Sequence, residues 1–349
     1  MQGLSLFAGA GIGETFLKDC GIHIKTANEL LPKRAKLYQF FNPDCNMICG
    51  DITDNKVFRA VMTSAVGTQF LLASPPCQGM SIAGKNRHQD SMSTDPRNYL
   101  IVRVFEAINK LNPKYVLIEN VPMLLKFTLP YRGKQLTVME ILKEEFSKKY
   151  KIEGKIMDAS DCGVPQTRLR AIIKMFPLGM EWPWPEPVKK KVTVKQAIGK
   201  LPSLESGESS NIRWHFARRH PDRQVLWMKH TPTGKSAFSN PIYFPQKEDG
   251  TRIKGYESSY RRIRWDEPSP TITIRNDAIS SQRNVHPGRP LKNGTFSDAR
   301  VLSLYELFLL TSLPKDWCPP MNTPEILLRQ VIGEAIPPLM IKRIVEGIR

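Results

Sequence analysis

Cysteine is scarce in this chain: six in 349 residues, at 20, 45, 49, 77, 162 and 318, and no Cys-x-x-Cys pair. That scarcity excludes a disulfide framework. Cys45 and Cys49 have no second pair to complete a zinc site, so the expectation is a reduced, intracellular protein with no metal. No apolar run approaches the roughly 20 residues that a membrane-spanning helix needs. Met1 to Phe7 carries neither the basic region nor the long apolar stretch of a secretory signal, so no membrane partner is expected. Internal repeats and low-complexity tracts are missing too. Acidic residues are in short supply: 33 Asp and Glu stand against 51 Lys and Arg, a net charge of +18. A hydrophobic share of 41% excludes wholesale disorder. What remains is a chain long enough for two domains, or for one large domain with a substantial insertion, with a charge that favours a polyanionic partner; a merely basic soluble enzyme is the alternative.

The first 176 residues alternate short apolar runs with helical patterns. Strands are expected at Gly3–Phe7, Ile24–Glu29, Met47–Cys49, Phe70–Ala73, Tyr115–Glu119, Lys151–Asp158 and Arg170–Phe176. Helices are expected at Glu14–Cys20, Lys33–Phe41, Tyr99–Leu111 and Thr137–Lys149. The alternation predicts an α/β fold with a parallel, doubly wound sheet. Pro177, Pro183, Pro185 and Pro187, with Trp182 and Trp184 among them, break the pattern and read as a linker. A short helical stretch, Val194–Leu201, and a loop, Ser203–Ser210, follow. From Asn211 to Asn293 the chain is basic, aromatic and poor in periodic segments, which predicts a small, irregular, strand-containing domain. Leu302–Thr311 and Leu339–Ile348 are helical in pattern.

Four segments carry chemistry. Phe7-Ala8-Gly9-Ala10-Gly11-Ile12-Gly13 follows a strand and opens a helix. Its glycines allow a tight turn and let a ligand approach backbone N–H groups. An ordinary strand-to-helix turn is the alternative. Glu29 ends the second strand and Asp51 the third, and carboxylates there can accept from ribose hydroxyls and an adenine amine, which favours a nucleoside cofactor. Ser74-Pro75-Pro76-Cys77-Gln78 lies past an apolar strand, at the carboxyl edge where open α/β sheets bind ligands. A free cysteine is commonly a small buried hydrophobe, but two prolines hold this one at a fixed position among non-apolar neighbours. Glu119-Asn120-Val121 follows another buried strand, so Glu119 can face Cys77 across the sheet top as its proton-donor partner, or simply cap the next turn. In Gln166-Thr167-Arg168-Leu169-Arg170, residues two apart share a strand face. Arg168 and Arg170 are therefore expected to point the same way and supply cations to Cys77; a solvated edge pair is the alternative.

FAGAG, PPCQ, ENV, QTRLR and GEAIPP, in this order from Phe7 to Pro338, resemble the DNA (cytosine-5) methyltransferases. The resemblance spans essentially the whole chain. It implies a Rossmann-like sheet domain that binds S-adenosylmethionine, with S-adenosylhomocysteine as product. It also implies a smaller target-recognition domain at 179–299, a hinge segment at 300–324, and a catalytic domain made of 1–178 and 325–349. The cofactor set it implies is Phe7, Ala8, Gly9, Ala10, Gly11, Ile12, Glu29, Leu30, Asp51, Ile52, Pro76 and Leu100, with Glu334 and Ala335 near the C-terminus. Cys77 matches the nucleophile, Glu119 the acid on the cytosine ring, and Arg168 and Arg170 the paired arginines. RVLSLYE at 300–306 resembles the segment between the domains. Thr271 and Ile272 resemble the recognition domain's Thr-aliphatic pair. The family has Gly-Asn where this chain has Gly333-Glu334, and Leu-Gln where it has Leu310-Thr311.

The chemistry implied is base flipping, since these groups cannot reach a base inside a stacked duplex. Cys77 adds to carbon 6 of cytosine, Glu119 engages N3 and the exocyclic amine, and carbon 5 takes the methyl. The polar loop Gly79–Arg97 is long enough to close over the base. Gln78, Ser81, Lys85, Arg97, Arg218, Arg261 and Thr271 are the expected DNA contacts. Further candidates are Arg213, Trp214, His215, Phe216, Arg219 and Arg223, and then Arg252, Arg262 and Arg264. Double-stranded DNA is the expected partner, with a monomer acting in the cytoplasm, nucleoid-associated and of bacterial or phage type, and with a cognate restriction endonuclease. Two alternatives stay open: methylation of tRNA cytosine, and a non-catalytic DNA-binding relative. A nicotinamide dehydrogenase does not fit, because the loop is not GxGxxG and such an enzyme has no use for Pro-Pro-Cys-Gln.

Overall fold

The structure is a computed structural model that describes residues 1–76 and 99–348. The chain divides into two compact units. One comprises Met1–Asp158, Leu169–Glu186 and Ile341–Arg349, the other Ala159–Arg168 and Pro187–Met340.

The first unit is built on a sheet of seven strands among the described residues: β1 (Gln2–Leu6), β2 (His23–Glu29), β3 (Asn46–Cys49), β4 (Phe70–Ala73), β5 (Tyr115–Asn120), β8 (Tyr150–Asp158) and β9 (Leu169–Pro177). Its order is β3-β2-β1-β4-β5-β9-β8. β3, β2, β1, β4 and β5 run parallel, and the order reverses at β1/β4. β4 and β5 are buried at every position, and their apolar runs, Phe70–Ala73 and Tyr115–Ile118, suit strands covered on both faces. Helices α1 (Pro32–Phe41), α2 (Asn55–Ser64) and α3 (Ile101–Leu111) form the crossovers. α3 buries Ile101, Val104, Phe105 and Ile108, a spacing that puts them on one helix face. Asp54 caps α2 by accepting from Lys56 N, and Phe58, Val61 and Met62 bury its inner face.

Three expectations change in this unit. The sheet is mixed: β9 pairs antiparallel with both β5 and β8. Only ten residues join β8 to β9, and a parallel crossover needs a dozen or more. The helix expected at Glu14–Cys20 is two 3-10 turns, Ile12–Glu14 and Lys18–Cys20. The buried Glu14 carboxyl and the Thr15 hydroxyl, which donates to Ile12 O, hold the tighter turn. A hairpin, β6 (Thr128–Tyr131) and β7 (Lys134–Thr137), precedes α4 (Val138–Phe146). Its two turn residues, Arg132 and Gly133, both have positive φ, as a tight hairpin demands.

The second unit holds short helices: α5 (Val194–Ile198), α6 (Asp222–Lys229), α7 (Leu304–Leu310) and α8 (Glu325–Glu334); α9 spans Pro338–Val345. The expected strands of Asn211–Asn293 are isolated bridges instead, such as Ser236 with Arg261 and Arg262 with Val285. Prolines at 232, 241, 245, 268, 270, 287 and 290 remove ladder donors. A side chain takes over part of that work. The fully buried Arg262 guanidinium donates to the carbonyls of Met228, His286, Ser297 and Asp298. Trp227, Met228, Tyr260, Ile279, Val285 and Val301 pack this unit's core.

The segment 300–306 forms a buried ionic knot in the same unit. Arg300 grips Glu306 with both terminal nitrogens, at 2.8 and 3.0 Å, and reaches Asp298 at 2.9 Å. Ser303 and Glu306 cap α7 reciprocally. The Arg300 cation outweighs burial and holds the Glu306 carboxyl well below the usual range.

Candidate active site

The carboxyl ends of β1 to β5 carry the candidate groups of the first unit. At the end of β1 the chain turns through left-handed conformations at Phe7 (φ 60°), Gly9 (φ 58°) and Gly11 (φ 74°). A Cβ at Gly9 would meet nothing within 4 Å, so the dihedral requires glycine there, not crowding. Ala8 N donates to Asn28 O on β2, which ties the turn to the sheet. Ala10 and Ile12 are buried in the core, so they offer a ligand backbone only.

Glu29 is 6% exposed. Its carboxylate accepts from Gly9 N at 2.9 Å and from Leu31 N at 2.9 Å, joining the glycine turn to the start of α1. Further lone pairs stay available on both oxygens. Asp51 is exposed after β3, and its Oδ1 accepts from the backbone and hydroxyl of Thr53. Ile52 is buried beside it, and Leu30 is exposed to 55%. Arg103 on α3 braces this segment by donating to Thr53 O and Asn55 Oδ1 while stacking on Phe58. Pro76 and Leu100 are half-buried. These residues fit a nucleoside-bearing cofactor: two acids at successive strand ends, an open glycine turn and apolar walls. Glu334 and Ala335 lie in the second unit, where Gly333 packs so tightly that a Cβ would stand 2.3 Å from Thr273 O.

Glu119, the penultimate residue of β5, is 7% exposed, and its Oε1 lies 2.7 Å from Arg170 Nε on β9. The antiparallel register makes the pair possible, because β9 brings Ala171 and Ile172 opposite Asn120 and Glu119. Asn120 has a function that sequence reading did not assign. Its Nδ2 donates to Pro75 O at 2.9 Å, while its Oδ1 accepts from Val121 N. It thereby pins the Pro75-Pro76 approach to Cys77. Two prolines leave that approach few N–H donors, which is the signal that its carbonyls would need a partner. Glu14 was likewise unassigned, and Ser5 and Tyr38 both donate to its carboxyl.

Arg168 and Arg170 do not share a face. Arg168 precedes β9, is buried, and donates to the carbonyls of Ile272, Gly333 and Glu334 within the second unit. Gln166, Thr167 and Arg168 together clasp Ser269–Ile272: Gln166 Oε1 accepts from Ile272 N, and Thr167 O accepts from Thr271 Oγ1. The expected cationic pair is therefore divided between Glu119 and a backbone clasp.

Cys77, Gln78, Ser81, Lys85, Arg97 and the loop Gly79–Arg97 lie outside the described residues. Several of the other expected nucleic-acid contacts are structural. Arg262, His215 and Trp214 are buried. Arg252 donates to Phe238 O and Asn240 O and stacks on Phe244. Arg213 donates to Pro319 O, and Arg264 pairs with Asp266 and Glu267. Arg218 lies 3.4 Å from Glu325, Arg261 reaches Glu257, and Arg219 and Arg223 are exposed. Among the described residues no group of three His, Cys, Asp or Glu could hold a metal ion, and no helix is long and apolar enough to cross a membrane.

The family model for C-5 cytosine-specific DNA methylases matches residues 1–349. The chain is 57% identical to the Type II methyltransferase M1.HgaI of Avibacterium volantium over its whole length and 98% of that protein's. It is 30% identical to the Type II methyltransferase M1.HphI of Haemophilus parahaemolyticus, over 99% of this chain and 86% of the other. The fold is similar to that of a prophage-encoded E. coli chain assigned as a DNA modification methyltransferase, with a TM-score of 0.72 and 17% identity over 99% and 98% of the two chains. Family and fold imply S-adenosylmethionine as methyl donor and DNA as substrate. With its motifs in order from Phe7 to Pro338 and the family model matched along all 349 residues, the chain belongs to the C-5 cytosine-specific DNA methylases.

Proposed function

We propose that the strand-end cluster of the first unit is the methyl-transfer centre, with Cys77 as nucleophile, Glu119 as the group on the cytosine ring, and Arg170 as the cation that orients Glu119. The observation that carries this reading is the Glu119–Arg170 contact of 2.7 Å at the carboxyl edge of β5. Cytosine carbon 5 is a poor nucleophile. Addition of the Cys77 thiolate at carbon 6 turns the ring into an enamine, and a proton held by Glu119 at N3 draws charge off it. The bound cofactor supplies a methyl on a sulfonium. Once carbon 5 has taken that methyl, its proton leaves to water and the C6–S bond breaks, which releases the Cys77 thiolate and restores the enzyme.

Glu29 and Asp51 bind cofactor hydroxyl and amine donors, and the Phe7–Gly13 turn offers backbone to its charged end. Leu30, Ile52, Pro76 and Leu100 line it, and Ala8, Ala10 and Ile12 contribute backbone. Glu334 and Ala335 complete the set by resemblance. Arg168 acts as a positioning residue for the Thr271–Ile272 segment. The substrate is a specific sequence in duplex DNA, with Arg218, Arg261, Thr271, Gln78, Ser81, Lys85 and Arg97 as its contacts. The Type II relatives support a restriction-modification role. In this reading the enzyme has a cognate endonuclease and works in the cytoplasm of a bacterium, or in a phage setting, associated with the nucleoid. The enzyme acts as a monomer, because flipping one base needs no second copy, and uses no metal.

The test is transfer of labelled methyl from S-adenosylmethionine to duplex DNA and to tRNA, by the native chain and by Cys77→Ala. Label on DNA cytosine that vanishes in the variant is expected. Label on DNA that persists in the variant overturns the assignment of Cys77, and label confined to tRNA overturns the substrate.

A further inference from the structure

We infer that Glu14 is a positioning residue for the cofactor: with Ser5 and Tyr38 it locks the Phe7–Gly13 turn from behind, opposite the hold that Glu29 exerts from the front. The inference rests on the reading of that turn as the cofactor loop. Glu14 ends the 3-10 turn that begins after the left-handed Gly11, and its side chain is buried. Ser5 Oγ on β1 donates to Oε1 at 2.5 Å, and Tyr38 Oη on α1 donates to Oε2 at 2.5 Å. Tyr38 also packs on the loop itself. A Cβ at Gly11 would lie 3.0 Å from Tyr38 Cδ2 and 3.1 Å from Cε2. One carboxyl therefore joins the strand before the loop, the turn after it, and the helix whose ring supports it. Glu29 joins Gly9 N to Leu31 N on the other side. The loop is bound at both ends by acids, and the proposed cofactor contact accounts only for the Glu29 end.

An ionised carboxylate only accepts, so it suits two hydroxyl donors. A protonated one brings a third hydrogen into a site that already holds two, and one O–H must turn away. Burial pushes the Glu14 carboxyl up to about 7, against the lowering effect of the Ser5 and Tyr38 hydrogen bonds. The other groups around it do not titrate in that range. Burial holds the Tyr38 hydroxyl far above its ordinary value, and the Cys45 thiol beyond it is pushed up to about 11, with Lys18 and Lys25 acting on that thiol. Ionisation of Glu14 therefore tightens the loop as pH rises through neutrality.

The experiment is calorimetric titration of the full chain with S-adenosylhomocysteine at pH 6, 7 and 8, with thermal melting and saturating-cofactor kcat in parallel. Native affinity is expected to rise several-fold from pH 6 to 8. Glu14→Gln should bind about tenfold more weakly at pH 8, the effect of one lost charge-assisted hydrogen bond, with no pH dependence and kcat within about twofold of native. Tyr38→Phe should weaken binding in the same direction. Native affinity and pH dependence retained in Glu14→Gln overturn the inference, as does a lowered melting point with unchanged affinity. Should Glu14→Gln not fold, Ser5→Ala carries the test, and unchanged affinity and pH response there overturn it equally. Glu29→Ala separates the two readings. If it leaves affinity intact, the cofactor-loop reading itself fails. If it weakens binding while Glu14→Gln does not, only the present inference falls.

Discussion

Removing the Arg170 cation should leave the enzyme folded and cofactor-bound but slow. The Arg170–Glu119 contact is 2.7 Å between side chains only 12% and 9% exposed. Two unit charges about 4 Å apart interact by about 4 kcal/mol at an effective dielectric of about 20. Deleting one partner of a buried pair costs about 3–5 kcal/mol, because the other charge is left behind in poor solvent. The residual exposure of both groups puts this pair at the lower end, near 3 kcal/mol. If Glu119 escapes that cost by turning toward water, it leaves the position from which, in the proposed mechanism, it meets the base. At about 1.4 kcal/mol per decade the rate of chemistry then falls about 100-fold in Arg170→Ala. Arg170→Lys should recover little, since an ammonium does not reproduce the guanidinium Nε geometry. The assay is single-turnover transfer of labelled methyl to duplex DNA with both substrates saturating. The cofactor KM should stay near native, because β9 lies on the far side of β5 and β4 from Glu29 on β2. In a double-mutant cycle with Glu119→Gln, the two changes should be strongly non-additive. A single-turnover rate for Arg170→Ala within about threefold of native, or additive effects in the cycle, would refute the reasoning.

Arg262→Met should destabilise the second unit by about 4 kcal/mol or more, since four carbonyls lose their buried donor at about 1–3 kcal/mol each and only part is regained from apolar packing; denaturant unfolding measures it, and a loss under about 1 kcal/mol contradicts the role given to this residue. Gly333→Ala should cost several kcal/mol and lower the melting point, because the new Cβ meets Thr273 backbone at 2.3 Å; native-like melting would mean that segment moves freely. Stability should fall as pH drops below about 6.5. Burial lowers His286 to about 3 and His220 to about 4, so the unfolded chain takes up protons first. Glu306, held below its ordinary value by Arg300, loses its contribution only as pH falls past about 4. A melting point flat from pH 7 to 4 would overturn that account, and His286→Phe should shallow the slope. Specific DNA binding should weaken steeply with salt, by about one power of salt concentration per neutralised phosphate, and a flat response would remove the phosphate-contact role from the exposed arginines.

Much of this molecule can be read from local chemistry. The apolar runs Phe70–Ala73 and Tyr115–Ile118 specify buried strands wherever the rest of the chain goes, and both strands are there. A glycine turn after β1, an acid at the end of β2 and another after β3 mark the candidate cofactor edge, because strand ends and left-handed turns are decided within a few residues. The ordered motifs identify the family for the same reason: each is a short piece whose chemistry depends on its own sequence. Only tertiary structure decided what depends on pairing between distant segments. Two arginines two residues apart look alike in sequence. The end of β9 between them sends Arg170 to Glu119 on a neighbouring strand and Arg168 to carbonyls 104 to 166 residues away. Arg262 and Arg252 read as surface cations in a basic stretch, yet they brace proline-broken backbone whose carbonyls have no ladder to join. Glu14 reads as the first residue of a helix until β1 and α1 close over it with two hydroxyl donors. Charge and spacing along the chain state which groups are available; burial and long-range register determine which of them meet a partner, and those two quantities exist only once the chain has folded.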